Sequence, residues 1–290
     1  MTKKFLVWIF GLSLVVLFPG SSFAEDKYKF EEKEEIRKTL KFQDPAKPKS
    51  LQVDNVFGSI DVQGSGGDEV ELIAHKTIRA KSQDKIQKAK QDVKLDITQD
   101  GGALEVYVDG PFRCQTEDGK GINWRDPGYE VHYDFVLKVP RKTALTLKTV
   151  TGGDITVKSV EGDFDVSNVN GKVVMEGVAG SGEAHTVNGK VKVGFSKNPG
   201  ANCSFRTVNG DLDLAFRDGL SADFKMKTFN GEAFSDFEVK SLPSPAEAKE
   251  SKAGRFVYKR RGFSRVRIGS GGPEITCDTL NGDILIKKSN

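Results

Sequence analysis

A Thr-x-Asn-Gly repeat constrains this chain more than any other feature. It reads Thr186-Val187-Asn188-Gly189, Thr207-Val208-Asn209-Gly210, Thr228-Phe229-Asn230-Gly231 and Thr279-Leu280-Asn281-Gly282. A looser copy is Asn168-Val169-Asn170-Gly171, and an earlier one, with an extra glycine, is Thr149-Val150-Thr151-Gly152-Gly153. From Gly152 to Gly231 the principal glycines are spaced 18 to 21 residues apart. A second set of turns, at Gly162, Gly180, Gly200 and Gly219, falls midway between them. Two turns per period mean two short strands per period. A period this short predicts a stack in which each unit buries its apolar face only against its neighbours. The fold class expected is all-β, a β-solenoid or β-helix-like stack of short strands from about residue 143, preceded by a strand-rich portion with one α-helix.

Side-chain parity assigns the two faces, because successive strand residues point to opposite sides. Val191 and Val193, Leu212, Leu214 and Phe216, and Ile284 and Ile286 point inward. Phe205 and Thr207, Phe224, Met226 and Thr228, and Ile275, Cys277 and Thr279 share that parity, whereas Val208, Phe229 and Leu280 break it. The chain is therefore expected to bend at Asn-Gly, since both residues tolerate positive φ. Stacked in chain order, Asn170, Asn188, Asn209, Asn230 and Asn281 form a hydrogen-bonded ladder along one edge. Between Gly231 and Gly282 the repeat is interrupted by an insertion at about 240–263, which reads as a loop or hairpin.

Upstream of the repeat, residues 1–24 read as a secretory signal peptide: Lys3 and Lys4, an apolar run from Phe5 to Phe18, and small residues before cleavage near Ala24. The apolar run is shorter than the roughly 20 residues a membrane span needs, so no transmembrane segment is expected in the mature chain. The mature protein is expected to be exported, periplasmic or extracellular. Residues 25–35 read as a charged, flexible segment and 36–290 as a single β domain. Leu51 to Val62 already resembles the repeat, with two alternating runs joined at Gly58. Ser82 to Val93 is the one expected helix, with Ser82 as N-cap and Ile86, Ala89 and Val93 on one face. Asp109 to Gly128 is the longest irregular stretch.

The chain shows no catalytic or cofactor constellation. The formal net charge is +3, of which the signal carries two lysines, so bulk charge gives no reason to expect nucleic acid as a partner. His75, His132 and His185 lack metal-ligand spacing, and no metal or cofactor site is expected. The residues after the principal turns (Asp154, Lys172, Lys190, Asp211, Glu232, Asp283) form a column of mixed sign. Asp211 and Glu232 come within the spacing of a glycosidase pair by stacking alone, and Lys190 is placed to pair with Asp211. Cys203 and Cys277 take the inward parity about two rungs apart, beyond disulfide reach, and are expected to be buried free thiols. Cys114, in the irregular stretch with Trp124, is the candidate reactive thiol, and the two mark a candidate loop site. In the basic segment Lys249 to Arg267, Arg255, Lys259, Arg260, Arg261, Arg265 and Arg267 surround Phe256, Tyr258 and Phe263. The first five are the candidate contacts to an anionic surface, such as an envelope polymer or lipid headgroups.

The ending Ile268-Gly269-Ser270-Gly271-Gly272-Pro273-Glu274-Ile275 running into Thr279-Leu280-Asn281-Gly282-Asp283-Ile284 resembles that of the exported bacterial "putative adhesin" domains, also called Toastrack domains. Gly58-Ser59-Ile60-Asp61-Val62, the lysine-rich helix and Val139-Pro140 before the first repeat fit the same order. The resemblance spans roughly residues 36 to 287. It implies a β-solenoid-like fold at the cell envelope, associated in some bacteria with envelope-stress systems, and it brings no catalytic residues. The expected function is thus an exported, non-enzymatic binding or structural module, adhesin-like or envelope-stress-associated. Its partners would be an envelope polymer, lipid headgroups or another envelope protein. The alternative is a carbohydrate-active β-helix lyase or hydrolase.

Overall fold

The computed structural model describes residues 27–44, 46–114, 121–122, 126–243, 250–252, 255–257 and 263–289. The expected signal peptide lies outside them. Among the described residues the fold is all-β with one helix, and the chain divides into two compact units, one ending at Thr156 and one beginning at Val157.

The N-terminal unit contains β1 (Phe30–Lys41), β2 (Lys49–Asp54), β3 (Ile60–Ser65), β4 (Glu69–Ala80), α1 (Gln83–Asp92), β5 (Lys94–Asp100), β6 (Ala103–Asp109), the short pair β7 (Arg113–Cys114) and β8 (Gly121–Ile122), β9 (Tyr129–Pro140) and β10 (Thr143–Lys148). One of its sheets runs β1-β4-β9-β3, the other β10-β2-β6-β5. The long strands alternate strictly between buried and exposed residues, as a half-buried sheet requires; β4 buries Val70, Leu72, Ala74, Ile78 and Ala80. Helix α1 forms where expected. The Ser82 hydroxyl accepts the Lys85 N–H, and Ile86 and Ala89 are buried where the helix packs on β4, β9 and β1.

Residues 30–35, expected to be flexible, are instead part of β1, which pairs with β4 from Phe30–Ala80 to Lys41–Glu69. Charge pairs supply the order that apolar residues would supply elsewhere: Glu31 meets Arg79 at 2.7 Å, and Lys90 of α1 reaches Glu32 at 2.6 Å. A charged edge strand also resists pairing with other chains.

In the C-terminal unit the repeat stacks in parallel. Strand β11 (Ile155–Lys158) straddles the division. It is followed by β12 (Phe164–Ser167), β13 (Val173–Val178), β14 (Gly182–His185), β15 (Val191–Phe195), β16 (Cys203–Arg206), β17 (Leu212–Phe216), β18 (Ala222–Asn230) and β19 (Ala233–Ser235). After these come β20 (Val239–Ser241), the hairpin β21 (Glu250–Lys252) and β22 (Arg255–Val257), β23 (Ser264–Ile268), β24 (Glu274–Asn281) and β25 (Ile284–Lys288). Each period places one strand in each of two sheets. Inside, Phe195 stacks on Phe216 with ring centroids 5.1 Å apart, and Phe216 meets Phe224 edge-on at 5.7 Å. Each such buried side chain contributes roughly 1.5–3 kcal/mol.

The order of the rungs differs from the chain order. The sheets run β13-β15-β17-β25-β19 and β12-β14-β16-β24-β18-β23-β20. The last repeat, β24 and β25, is thus slotted between two earlier ones. The asparagine ladder forms, but as Asn170, Asn188, Asn209, Asn281, Asn230, with side-chain hydrogen bonds of 2.7–2.8 Å between neighbours. The reason is that β23 pairs antiparallel along one edge of β18, leaving β18's other edge for β24.

Each position of Thr-x-Asn-Gly has its own task. The threonine hydroxyl donates to the carbonyl of the glycine one rung away: Thr149 to Gly58, Thr186 to Gly171, Thr207 to Gly189, Thr279 to Gly210 and Thr228 to Gly282, all within 2.8–3.0 Å. Thr149 and Gly58 lie in the N-terminal unit, which bears out the repeat-like reading of residues 51–62. The x residue points out at Val187, Val208, Phe229 and Leu280, whereas Val150 of the earlier copy is buried. The asparagine makes the ladder. The glycine lets rungs approach, because a Cβ on Gly210 would sit 2.0 Å from the Gly189 carbonyl oxygen. Ser159 is the one non-glycine residue with positive φ among those described. The expectation that asparagine supplies a left-handed bend is therefore corrected: side-chain hydrogen bonding and close packing select Asn-Gly here.

Candidate functional site

The outer face of the sheet β14-β16-β24-β18-β23 changes charge from one side to the other. In register across it lie Glu183, Ser204, Thr276, Lys225 and Arg265. Lys225 thus stands directly opposite Arg265, an arrangement that is destabilising in a sheet. Arg265 reaches Glu274 at 3.6 Å, while neither Lys225 nor Lys227 makes an ion pair among the described residues. The Phe263 ring lies under both lysines, 4.5 Å from Lys225 Nζ and 5.6 Å from Lys227 Nζ. Arg267 is neutralised by a two-pronged hydrogen bond to Asp223, 2.7 Å on each side, which holds the Asp223 carboxyl below the usual carboxylate range. Beyond this face, Phe229 is 75% exposed and Leu280 is 46% exposed.

Of the basic residues expected to contact an anionic surface, Arg265 is therefore placed on this face. Lys259, Arg260 and Arg261 lie outside the described residues, as does the side chain of Arg255, whose backbone is in β22. Sequence reasoning passed over Lys225 and Lys227. Their outward parity beside Phe224 and Met226 was visible, but the antiparallel pairing that brings Arg265 and Phe263 to them was not.

The candidate loop site falls at the irregular stretch of the N-terminal unit. Trp124 and the side chain of Cys114 lie outside the described residues. Arg113 anchors the start of the stretch, donating to Asp54 at 2.9 Å and to the Val108 carbonyl at 3.0 Å, with its guanidinium 4.5 Å from the Tyr107 ring centroid. Beside it is a cavity of about 520 Å³ walled by Phe57, Val93, Pro111, Phe112 and Tyr129, with Lys27, Asp126, Glu130 and His132 among its polar lining. Asp126 is held at a pKa of about 2, chiefly by a hydrogen bond from Lys81 and then by the Gly128 N–H.

The carboxylate column keeps its three acids but in a different order, since Asp283 enters between Asp211 and Glu232 and separates that pair by two rungs instead of one. The Asp211 carboxylate accepts the Asp283 N–H at 3.1 Å, and that of Asp283 accepts the Glu232 N–H at 2.9 Å. Lys190 meets Asp211 at 4.0 Å but approaches Asp213 more closely, at 3.1 Å. No three-residue group of metal-ligand type occurs among the described residues. Cys203 and Cys277 are buried free thiols, as expected, but they sit on neighbouring rungs rather than two rungs apart. Burial raises the pKa of both. No described helix is long and apolar enough to cross a membrane.

No family model matches the chain, and no curated protein matches it. Among solved structures it is similar to a "putative cell adhesion protein" from Clostridium sporogenes, at 10% identity and TM-score 0.41, covering 88% of this chain and 100% of that one. It is also similar to a "putative adhesin" from Bacteroides fragilis, at 11% identity and TM-score 0.36, covering 88% and 97%. A "putative lipid binding protein" from Parabacteroides distasonis follows at 10% identity and TM-score 0.28, with the same coverage.

Proposed function

We propose that this protein is an exported, non-enzymatic binding module of the cell envelope that attaches to polyanionic envelope material through the basic face of β18 and β23. The observation that carries this reading is Lys225 standing opposite Arg265, with Lys227 beside them and Phe263 beneath the lysines. Like charges in direct register cost stability, and an anionic partner turns that cost into binding energy. Phe229, mostly exposed nearby, adds an apolar contact at the rim.

The test is co-sedimentation of the mature chain with phosphatidylglycerol vesicles and, separately, with an anionic wall polymer. Each basic residue near an anionic surface contributes about 1 kcal/mol. The double variant Lys225→Glu/Arg265→Glu is therefore expected to weaken binding at least roughly tenfold and to reduce its salt dependence. Unchanged binding to both materials overturns the reading. The arm that responds identifies lipid or polymer.

A further inference from the structure

The cavity of the N-terminal unit uses none of the residues of the basic face. Its volume of about 520 Å³ lies in the range that holds a small organic ligand. Aromatic rings form part of its wall. Phe57 meets Phe112 edge-on with ring centroids 5.4 Å apart, and His132 lies 5.8 Å from Phe57. Tyr28 and Tyr129 add two further rings, and Val93, Pro111, Pro127 and Val131 are among the apolar lining.

Two carboxylates, Asp126 and Glu130, stand among these rings. Asp126 is committed, accepting hydrogen bonds from Lys81 at 2.9 Å and the Gly128 N–H at 2.8 Å. Glu130 shares a hydrogen bond with Tyr28 and stands opposite Arg79 in the β4–β9 register, with its other charged neighbours farther off, Lys27 Nζ at 4.0 Å and His132 Nε2 at 3.8 Å. The ammonium of Lys27 is 4.9 Å from the Tyr28 ring centroid and 3.5 Å from Asp126, and its side chain is 56% exposed. The chain thus already places one ammonium between an aromatic face and two carboxylates, the environment that favours organic cations. An anionic ligand would meet Asp126 and Glu130, and a neutral one would cover the Glu130 carboxylate without pairing it.

We propose that this cavity binds an organic ammonium with an apolar body. The ammonium would lie against Glu130 and the aromatic rings in place of Lys27, and the body against Phe57, Phe112 and Val93.

The experiment is calorimetric titration of the mature chain with dodecyltrimethylammonium and with dodecanoate, both below their micelle concentrations. The two share a chain and differ in the sign of the head. The ammonium is expected to bind and the carboxylate not. Phe112→Ala should weaken the ammonium about tenfold and Glu130→Gln several-fold, whereas Lys27→Ala should strengthen it by removing the competing cation. Circular dichroism identifies any variant that fails to fold, and Lys27→Ala, altering a half-exposed side chain near the chain start, remains decisive if Phe112→Ala does not fold. Dodecanoate binding as tightly as the ammonium, a weaker ammonium affinity in Lys27→Ala, or an affinity that none of the three variants changes would each overturn the proposal.

Discussion

Asn281 donates its side-chain amide to Asn209 at 2.7 Å, across 72 residues of chain, and accepts one from Asn230 at 2.7 Å. The last asparagine of the repeat is therefore the fourth rung of the ladder, not its end. β24 and β25 supply the backbone pairing between the rung containing Asn209 and the rung containing Asn230.

It follows that removing residues 273–290 strips β24 and β25 from the interior of both sheets. Both neighbours lose a partner: β16 and β18 in one sheet, β17 and β19 in the other. The C-terminal unit is expected to lose cooperative unfolding altogether. Trimming a true end rung would only shorten the stack. Urea denaturation followed by far-ultraviolet circular dichroism distinguishes the outcomes, and a truncated chain that retains a sharp transition with a proportionally smaller amplitude would contradict this topology.

Close approach at the turns makes a second expectation. Gly210→Ala places a Cβ 2.0 Å from the Gly189 carbonyl oxygen, and backbone must move to relieve it. The cost is expected to be about 1–3 kcal/mol. Gly200 is also at a turn, but a Cβ there would meet nothing within 4 Å, so Gly200→Ala should be nearly neutral. Gly210 also has a φ of +157°, so the separating comparison is Gly189→Ala, which has no positive φ but places a Cβ 2.2 Å from the Gly171 carbonyl oxygen: a urea midpoint well below that of Gly200→Ala shows that rung contact, rather than glycine flexibility in general, sets the requirement.

Asp213 links the stack to pH. It is 8% exposed, with Lys190 at 3.1 Å and Lys287 at 2.9 Å. Burial alone would raise its pKa, but hydrogen bonds from Lys287 and Lys190 outweigh that and hold it below the ordinary value of 3.8. A lowered folded-state pKa contributes stability that is present above 3.8 and is lost as the pH falls through the folded value. Asp213→Asn leaves the two lysines without their shared carboxylate and should cost about 1–3 kcal/mol at neutral pH. The gap between variant and parent should close in acid. A stability difference that stays constant from neutral pH down to strong acid would rule this account out.

The repeat by itself determined that this chain is all-β, that strands come in pairs per period, which residues face inward, and that asparagines form a ladder. These follow from periodicity and parity, which are local properties. Ser82 and the Ile86–Ala89 spacing likewise determined the helix. Only the tertiary structure decided the order of the rungs, because the choice of neighbour for β18 depends on β23, which lies well beyond it along the chain and claims one of its edges. The same long-range pairing placed Lys225 against Arg265 and brought Cys203 and Cys277 to adjacent rungs. The cavity beside Phe57 and Phe112 was beyond sequence reading for a similar reason: residues from positions 27, 57, 93, 112 and 130 meet there, and no local pattern relates them.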